Sequence, residues 1–264
     1  MELSLEIVSA QGELLAQSAG KPFVNLVYTR AYAPGDRLVL TAAESPARLL
    51  VQLDDCLSPA FVYLKGGRFE YPVPFGEKRL PYNPKAFAGT LHLLRARAAA
   101  PEEASLYRNL AQNSHDFHEN RSGFPHAYAN VETRGESVFA AANAIDGNTE
   151  NRSHGEWPYA SWGINRDPGA ELTVDFGREV EVDRIVLVTR ADFPHDSWWR
   201  SAELVFSGGG TLEARMEKSV SPHVFSFEKK RISWVKLRKL HKDESDPSPF
   251  PALSQIEVFG READ

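Results

Sequence analysis

The sequence of 264 residues is poor in several features that would each assign it to a class of protein. It has one cysteine, Cys56, which excludes an internal disulfide and any zinc or iron–sulfur site built from several cysteines. No apolar run approaches the roughly 18 residues of a membrane-spanning helix. The first residues lack the basic segment of a signal peptide. The sequence therefore predicts a cytoplasmic protein, with export by another route left open.

Positive charge is also scarce. Lysine and arginine number 30 against 36 acidic residues, which gives a net charge of −6, and the acidic surplus lies after residue 115. Without a basic stripe, the sequence predicts neither a nucleic-acid partner nor a membrane partner. Hydrophobic residues at 42% predict a folded chain. A homo-oligomer remains compatible with this composition.

What the chain does have is a series of short alternating segments typical of β-strands. Residues 1–100 are predicted to form an antiparallel β-sandwich, because strand candidates and turns follow one another at about ten-residue spacing. Gly66 and Gly67 separate two of the segments and predict a hairpin. The strand candidates of this part are 3–8, 37–40, 49–53, 61–64, 68–73 and 90–97.

Residues 101–123 are predicted to be a helix and a linker. Pro101 suits a first helical position, and Leu106 and Leu110 lie on one face of a helix that would end near Asn113. The stretch from 113 to 121, NSHDFHENR, is dense in polar groups and is predicted to reach a ligand cleft.

Strand patterns return in residues 124–264, where Gly208, Gly209 and Gly210 predict a hairpin. The predicted fold class is therefore mostly β: two antiparallel β-sandwiches joined by a short helix and linker. The strand candidates of this part are 172–176, 185–188, 204–206, 212–216, 225–227, 235–237 and 256–258.

Aromatic residues are concentrated in two predicted loops of this second half. Large aromatic side chains in surface loops indicate a binding site, since sugars stack on rings while charged and amide groups hold their hydroxyls. A different interpretation places Trp162 and one of Trp198 and Trp199 in the core. The predicted ligand-binding residues are His154, Glu156, Trp157, Tyr159, Arg190, Asp192, His195, Trp198 and Trp199.

From about Phe124 to Phe259 the chain resembles the discoidin, or coagulation-factor type C, domain, a galactose-binding-like jelly roll also found in bacterial carbohydrate-binding modules. Trp162 stands where that family has a core tryptophan. The matching segments are AAANAIDGN (140–148), AELTVDFG (170–177), VDRIVL (182–187) and LSQIEVFG (253–260). The resemblance implies a jelly roll with ligand-binding loops at one end.

The same resemblance implies a structural calcium ion held by the Asp-Gly loop and the closing strand. Calcium takes several oxygen ligands, and the residues at these positions are Asp146, Asn148, Asn151 and Gln255, with Gln255 at a position that is acidic in the family. Asp146-Gly147-Asn148 can equally be a plain turn.

The sequence is compatible with three different functions. The leading prediction is a non-catalytic carbohydrate-binding protein with no organic cofactor. A sugar-active enzyme, either a hydrolase, lyase or isomerase, would use His115 and His118 as metal ligands or Glu156 and Asp192 as an acid/base pair. A protein-docking module would use the same exposed tryptophans. The first half would pack against the second half, mediate dimerisation or contribute part of the ligand cleft.

Overall fold

The computed structural model describes residues 1–152, 155–191 and 197–263. The predicted fold class is confirmed, because these residues form antiparallel sheets and only short helices. Its elements are β1 (Leu3–Val8), β2 (Leu14–Gly20), β3 (Phe23–Tyr28), β4 (Arg37–Ala42), β5 (Ala47–Gln52), β6 (Ala60–Leu64), β7 (Arg68–Pro72), β8 (His92–Ala98), α1 (Pro101–Ser105), β9 (Arg108–Asn109), β10 (Gly123–Phe124), β11 (His126–Ala129), β12 (Trp162–Gly163), β13 (Leu172–Thr189), β14 (Trp199–Phe206), β15 (Thr211–Arg215), β16 (His223–Lys242) and β17 (Ala252–Glu262), with 3₁₀ turns at 76–79, 133–135, 137–139 and 141–145.

The first half is a β-sandwich of two sheets, ordered β2-β1-β4-β7 and β10-β6-β5-β8-β3. Its strands alternate buried and less buried residues, as in β1, because successive side chains point to opposite faces. The inward rows, which include Leu5, Leu40, Leu49 and Val62, are fully buried and form one core. The sequence prediction had missed β2 and β3.

The predicted hairpin around Gly66 and Gly67 is wrong. Strand β6 pairs with β5 in one sheet, whereas β7 pairs with β4 in the other. Gly67 has a φ of 71° and its carbonyl accepts a hydrogen bond from the Ala42 N–H. The two glycines therefore carry the chain from one layer to the other, a change that the alternating pattern does not encode.

The second half is a jelly roll in which long strands bend from one layer into the other. The first part of β13 lies between β11 and the second part of β16, which continues to β14 and β15. The second part of β13, from Val180 onward, lies between β17 and the first part of β16. Two facing layers result, and the register shift after Asp175 marks the bend.

The core of the jelly roll lies between these layers. Trp162 and Trp199 are its largest side chains, with ring centroids 6.4 Å apart. The indole N–H of Trp162 donates to the carbonyl of Val131, which satisfies the polar atom of a buried tryptophan. The hairpin predicted around residues 208–210 is confirmed, since Leu204 pairs with Leu212.

The connecting helix is shorter than predicted. Helix α1 ends at Ser105 because Leu106 has an extended backbone, with φ −65° and ψ 141°. The chain then pairs with β17 as β9, and Leu110 enters the jelly-roll core while Leu106 remains 57% exposed. The four-residue spacing of these leucines therefore does not mark one helical face here. No helix among the described residues has the length and apolar character to cross a membrane.

Glu262 ties the two halves together. Its carboxylate accepts hydrogen bonds from Arg178 at 2.5 and 2.6 Å, from Arg108 at 2.6 Å and from Arg48 of β5 at 3.2 Å. The Glu262 side chain is 8% exposed. Burial raises its pKa, but the hydrogen bonds and charges of Arg178 and Arg108 outweigh burial and hold the pKa at about 2.

We expect Glu262→Gln to lower the free energy of unfolding at neutral pH by about 3–5 kcal/mol, because it leaves the buried guanidinium of Arg178 and the largely buried one of Arg108 without their anion. A depressed carboxyl pKa stabilises the fold above the ordinary pKa of 4.5, and this contribution is lost as the pH falls toward 2. The variant should therefore also lose less stability than the wild type over that acid range. Urea unfolding at several pH values measures both effects.

Glu70→Gln is the matched control, since Glu70 pairs with Arg68 at 2.8 Å but is 42% exposed. Its effect should stay below about 1 kcal/mol. Equal stability of the two variants would contradict the role given to Glu262.

Candidate functional site

A cavity of about 390 Å³ lies between the two sandwiches and the linker. We call it the cleft. It is lined by polar groups and rings from all three parts of the chain: Glu77, Lys78, Tyr82 and Asn83 from the first half; Asp116, Phe117, His118 and Glu119 from the linker; and Glu132, Ser137, Asn143, Asp146, Asn148 and Trp157 from the second half.

The linker is held in place by the buried carboxylate of Asp116. One oxygen accepts from the side chains of Asn120 and His126 at 2.8 Å each, and the other accepts from the Ala127 N–H at 2.8 Å. Such hydrogen bonds satisfy a carboxylate that would otherwise be costly to bury. The turn from 116 to 127 is thereby fixed, and it brings residues 117–119 to the cleft.

His115 is part of this anchoring and not a metal ligand. It is fully buried, its Nε2 accepts from the Leu53 N–H at 3.0 Å, and its Nδ1 contacts the Ser114 hydroxyl at 3.1 Å. Burial lowers the His115 pKa to about 3, so the ring is neutral. The predicted metal pair with His118 is wrong, because both His115 nitrogens are engaged.

Three rings face the cleft, each half-buried: Tyr82, Phe117 and Trp157. Phe117 packs edge-on against Tyr71, with ring centroids 5.5 Å apart. The hydroxyl groups of Tyr71 and Tyr82 are 2.8 Å apart, and burial raises the Tyr82 pKa to about 12 although the hydrogen bond with Tyr71 opposes this rise. Tyr82 therefore stays protonated and keeps a hydroxyl that can donate or accept.

Carboxylates line the cleft beside these rings. Glu132 accepts from the Ala141 N–H at 2.8 Å and lies 3.3 Å from His118 Nδ1. Glu77 accepts from the N–H and hydroxyl of Ser137, at 2.6 and 2.7 Å, and so connects the two halves across the cleft. These contacts orient both carboxylates before any ligand binds.

The structure brings only part of the predicted ligand-binding set to this cleft. Trp157 lines it, and so do Phe117, His118 and Glu119 of the polar linker. Glu156 is 70% exposed and lies 3.9 Å from Arg152. Trp198 is half-buried and does not line the cleft. His154, Asp192 and His195 lie outside the described residues.

Three predicted ligand-binding residues are corrected because they are buried. Trp199 is 1% exposed and packs in the core, as the competing interpretation of the tryptophan pair allowed. Arg190 is 1% exposed, and its guanidinium donates to the carbonyl of Tyr159 at 2.5 Å. Tyr159 is 6% exposed and packs with Val138 and Phe139. A ligand cannot stack on rings without an exposed face.

Sequence reasoning missed Glu77, Tyr82 and Glu132 as lining residues. Tyr82 follows Pro81 in a turn-rich segment of the first half, and no local pattern relates that segment to the jelly roll. Glu77, Tyr82 and Glu132 come together only because the two halves pack against each other. That packing is determined by contacts between residues that are far apart in the sequence.

The turn predicted to hold calcium converges on the side chain of Gln255. Four oxygens surround its Nε2: the carbonyls of Ser254 at 2.6 Å, Asn143 at 2.7 Å and Asn148 at 3.2 Å, and Oδ1 of Asp146 at 2.7 Å. Its Oε1 accepts from the Gly147 N–H at 3.0 Å. The reverse orientation of the amide would set oxygen against oxygens and nitrogen against an N–H.

This geometry does not match the predicted set of calcium ligands. Gln255 directs its nitrogen, not its oxygen, toward the other oxygens. Asn148 contributes its backbone carbonyl, and the side chain of Asn151 donates to the Ser254 hydroxyl at 3.1 Å. Burial raises the Asp146 pKa to about 7, against the lowering effect of hydrogen bonds from Asn148 and Gln255. The residues present therefore do not fit a calcium ion.

Comparisons with known proteins give similarity in structure only. No family model and no curated protein matches the chain. A chitosan-binding module of a chitosanase/glucanase from Paenibacillus sp. IK-5 is 17% identical, with a TM-score of 0.41, over 58% of this chain and 98% of that one.

Two further solved structures are similar to a comparable extent. The family 32 carbohydrate-binding module of C. perfringens NanJ, in complex with galactose, is 18% identical with a TM-score of 0.39, over 50% of this chain and 91% of that one. The lectin domain of lectinolysin, complexed with Lewis b antigen, is 19% identical with a TM-score of 0.43, over 59% and 97%. The fold assignment itself rests on the strand pairing described above.

We expect Trp199→Ala to lower the free energy of unfolding by about 3–5 kcal/mol, because it empties a space in the core that the remaining side chains fill only in part. Trp198→Ala, the neighbouring substitution at a half-buried ring, should cost about 1 kcal/mol. Urea unfolding measures both. A larger loss for Trp198→Ala than for Trp199→Ala would contradict the placement of the two rings.

Proposed function

We propose that this protein binds a saccharide, without turning it over, in the cleft between its two sandwiches. The observation that carries this proposal is the cleft itself, which has about 390 Å³ and is lined by three half-buried rings and several oriented polar groups. Small-molecule sites are concave, of roughly 300–1,000 Å³, and combine apolar walls with a few placed polar groups.

The rings give the cleft its affinity for the apolar face of a sugar. Tyr82, Phe117 and Trp157 come from the first half, the linker and the second half respectively, so they surround the cavity. Sugar rings bury their C–H faces on such aromatic surfaces while their hydroxyls bond to carboxylates and amides. Glu77, Glu132 and Asn83 supply those acceptors and donors.

The charge of the lining selects among saccharides. The carboxylates of the lining, those of Glu77, Asp116, Glu119 and Glu132, outnumber its basic groups, Lys78 and His118. Asp146 adds less negative charge, because burial raises its pKa to about 7. A uronic acid would meet like charge in a cavity that is partly shielded from water, whereas an amino sugar would meet opposite charge. The cleft therefore favours neutral sugars and amino sugars over anionic ones.

The test is titration calorimetry of the protein with galactose, N-acetylgalactosamine, glucosamine and glucuronic acid. We expect micromolar to millimolar dissociation constants, about −8 to −4 kcal/mol, for a neutral or amino sugar. Glucuronic acid should bind weakest, by a margin that shrinks with added salt. Recovery of unchanged sugar after incubation is also expected. Turnover would favour the sugar-active enzyme, and failure of every sugar to bind would contradict the proposal.

The position of the site is tested by two tryptophans. Trp157→Ala should weaken binding of the preferred sugar at least tenfold, about 1.4 kcal/mol, because it removes a stacking surface of the cleft. Trp198→Ala is the matched control, since Trp198 is also half-buried but does not line the cleft. Circular dichroism establishes that both variants fold. Loss of binding in Trp198→Ala alone would instead place the site near Trp198, in the loop predicted from the sequence at 190–200.

A further inference from the structure

The side-chain amide of Gln255 occupies the centre of the oxygen-lined turn at 143–148. Its nitrogen has two hydrogens, and the four oxygens around it lie at 2.6–3.2 Å. Calcium would need six to eight oxygens at 2.3–2.6 Å. The distances observed are those of hydrogen bonds, and the centre holds a donor instead of a space for an ion.

The charge of the atoms around Gln255 Nε2 also disfavours a bound calcium ion. Asp146 is the one carboxylate among the atoms that contact Nε2, and the remaining contacts are backbone carbonyls. Divalent-cation affinity rises with the number of charged ligands. The two hydrogens of the Gln255 amide carry partial positive charge. That charge is enough to balance one carboxylate and the negative ends of the carbonyl dipoles, so no cation is required.

The same amide also accepts a hydrogen bond through its oxygen. Gln255 Oε1 accepts from the Gly147 N–H, so both ends of the side chain hold the turn against β17. Gln255 is 1% exposed, and buried amides are stable when every polar atom has a partner. A carboxylate at this position could accept from Gly147 but would repel the surrounding oxygens.

We propose that the Gln255 amide takes the place of a structural cation, so that the 143–148 turn is fixed to β17 without calcium. The structural role implied by the resemblance is kept, and the ion is replaced by a side chain. This inference concerns stability and metal binding alone, so it stands or fails independently of sugar binding.

The first arm of the test uses the wild-type protein. Its melting temperature should be the same in calcium and in EDTA, since no ion stabilises the native state. Calcium titration by calorimetry should give no saturable heat that Asp146→Asn abolishes. Calcium-dependent stabilisation of the wild type, or saturable binding that Asp146→Asn removes, would overturn the proposal. This arm does not depend on the folding of any Gln255 variant.

The second arm converts the amide into a carboxylate. Gln255→Glu should melt about 5–10 °C below the wild type in EDTA, because a second buried carboxylate faces Asp146 and the carbonyls. Calcium should restore much of that difference, since the variant supplies the missing ligand charge. Gln17→Glu, the same charge change on the exposed face of β2, should shift in neither condition. A Gln255→Glu protein as stable as the wild type in EDTA would overturn the proposal.

Discussion

The carboxylate of Glu262 is a buried charge whose hydrogen bonds join the jelly roll, the linker and the first sandwich. It lies at the end of β17 in the jelly roll and is bonded to Arg178 and Arg108, while Arg48 reaches it from β5 of the other sandwich. A buried carboxylate with three guanidinium partners has one favourable geometry, because any displacement leaves charge unpaired in a region of low dielectric. Together with the Glu77–Ser137 hydrogen bonds and the packing of Phe117 on Tyr71, this cluster holds the two halves on either side of the cleft.

Strand β17 connects this contact to the site. Glu262 lies at its end, and Gln255, seven residues earlier, holds the turn that contributes Asp146 and Asn148 to the cleft. The linker completes the wall, since Asp116 fixes its path and Phe117 packs on Tyr71 of the first sandwich. The cleft is thus formed by residues of both halves and the linker. Hydrogen bonds within the protein orient Glu77, Glu132 and the linker before a ligand binds, which lowers the conformational entropy lost on binding.

Sequence reasoning reached the parts of this architecture that local patterns encode. Alternation located β1, β4 and β5, and the Asp-Gly and closing motifs around Asp146 and Gln255 placed a jelly roll in the second half. Residues 117–119 of the polar linker line the cleft. Local patterns failed where a choice depends on distant contacts: β6 and β7 look like a hairpin but enter different sheets, and the chain after Ser105 extends to pair with β17. Composition could not show that Trp157 is partly exposed while Trp199 is buried, because the packing of the folded chain determines exposure. The orientation of the Gln255 amide could not be predicted from composition either.

The proposed saccharide binds between the halves, in contact with both. Hydrogen–deuterium exchange of the full chain, with and without the tightest-binding sugar of the panel, tests it most directly. We expect slower exchange on binding in three segments together: 77–83 of the first half, 114–119 of the linker and 132–148 of the second half. Slower exchange confined to the jelly roll around 197–200, with residues 77–83 and 114–119 unchanged, would contradict it.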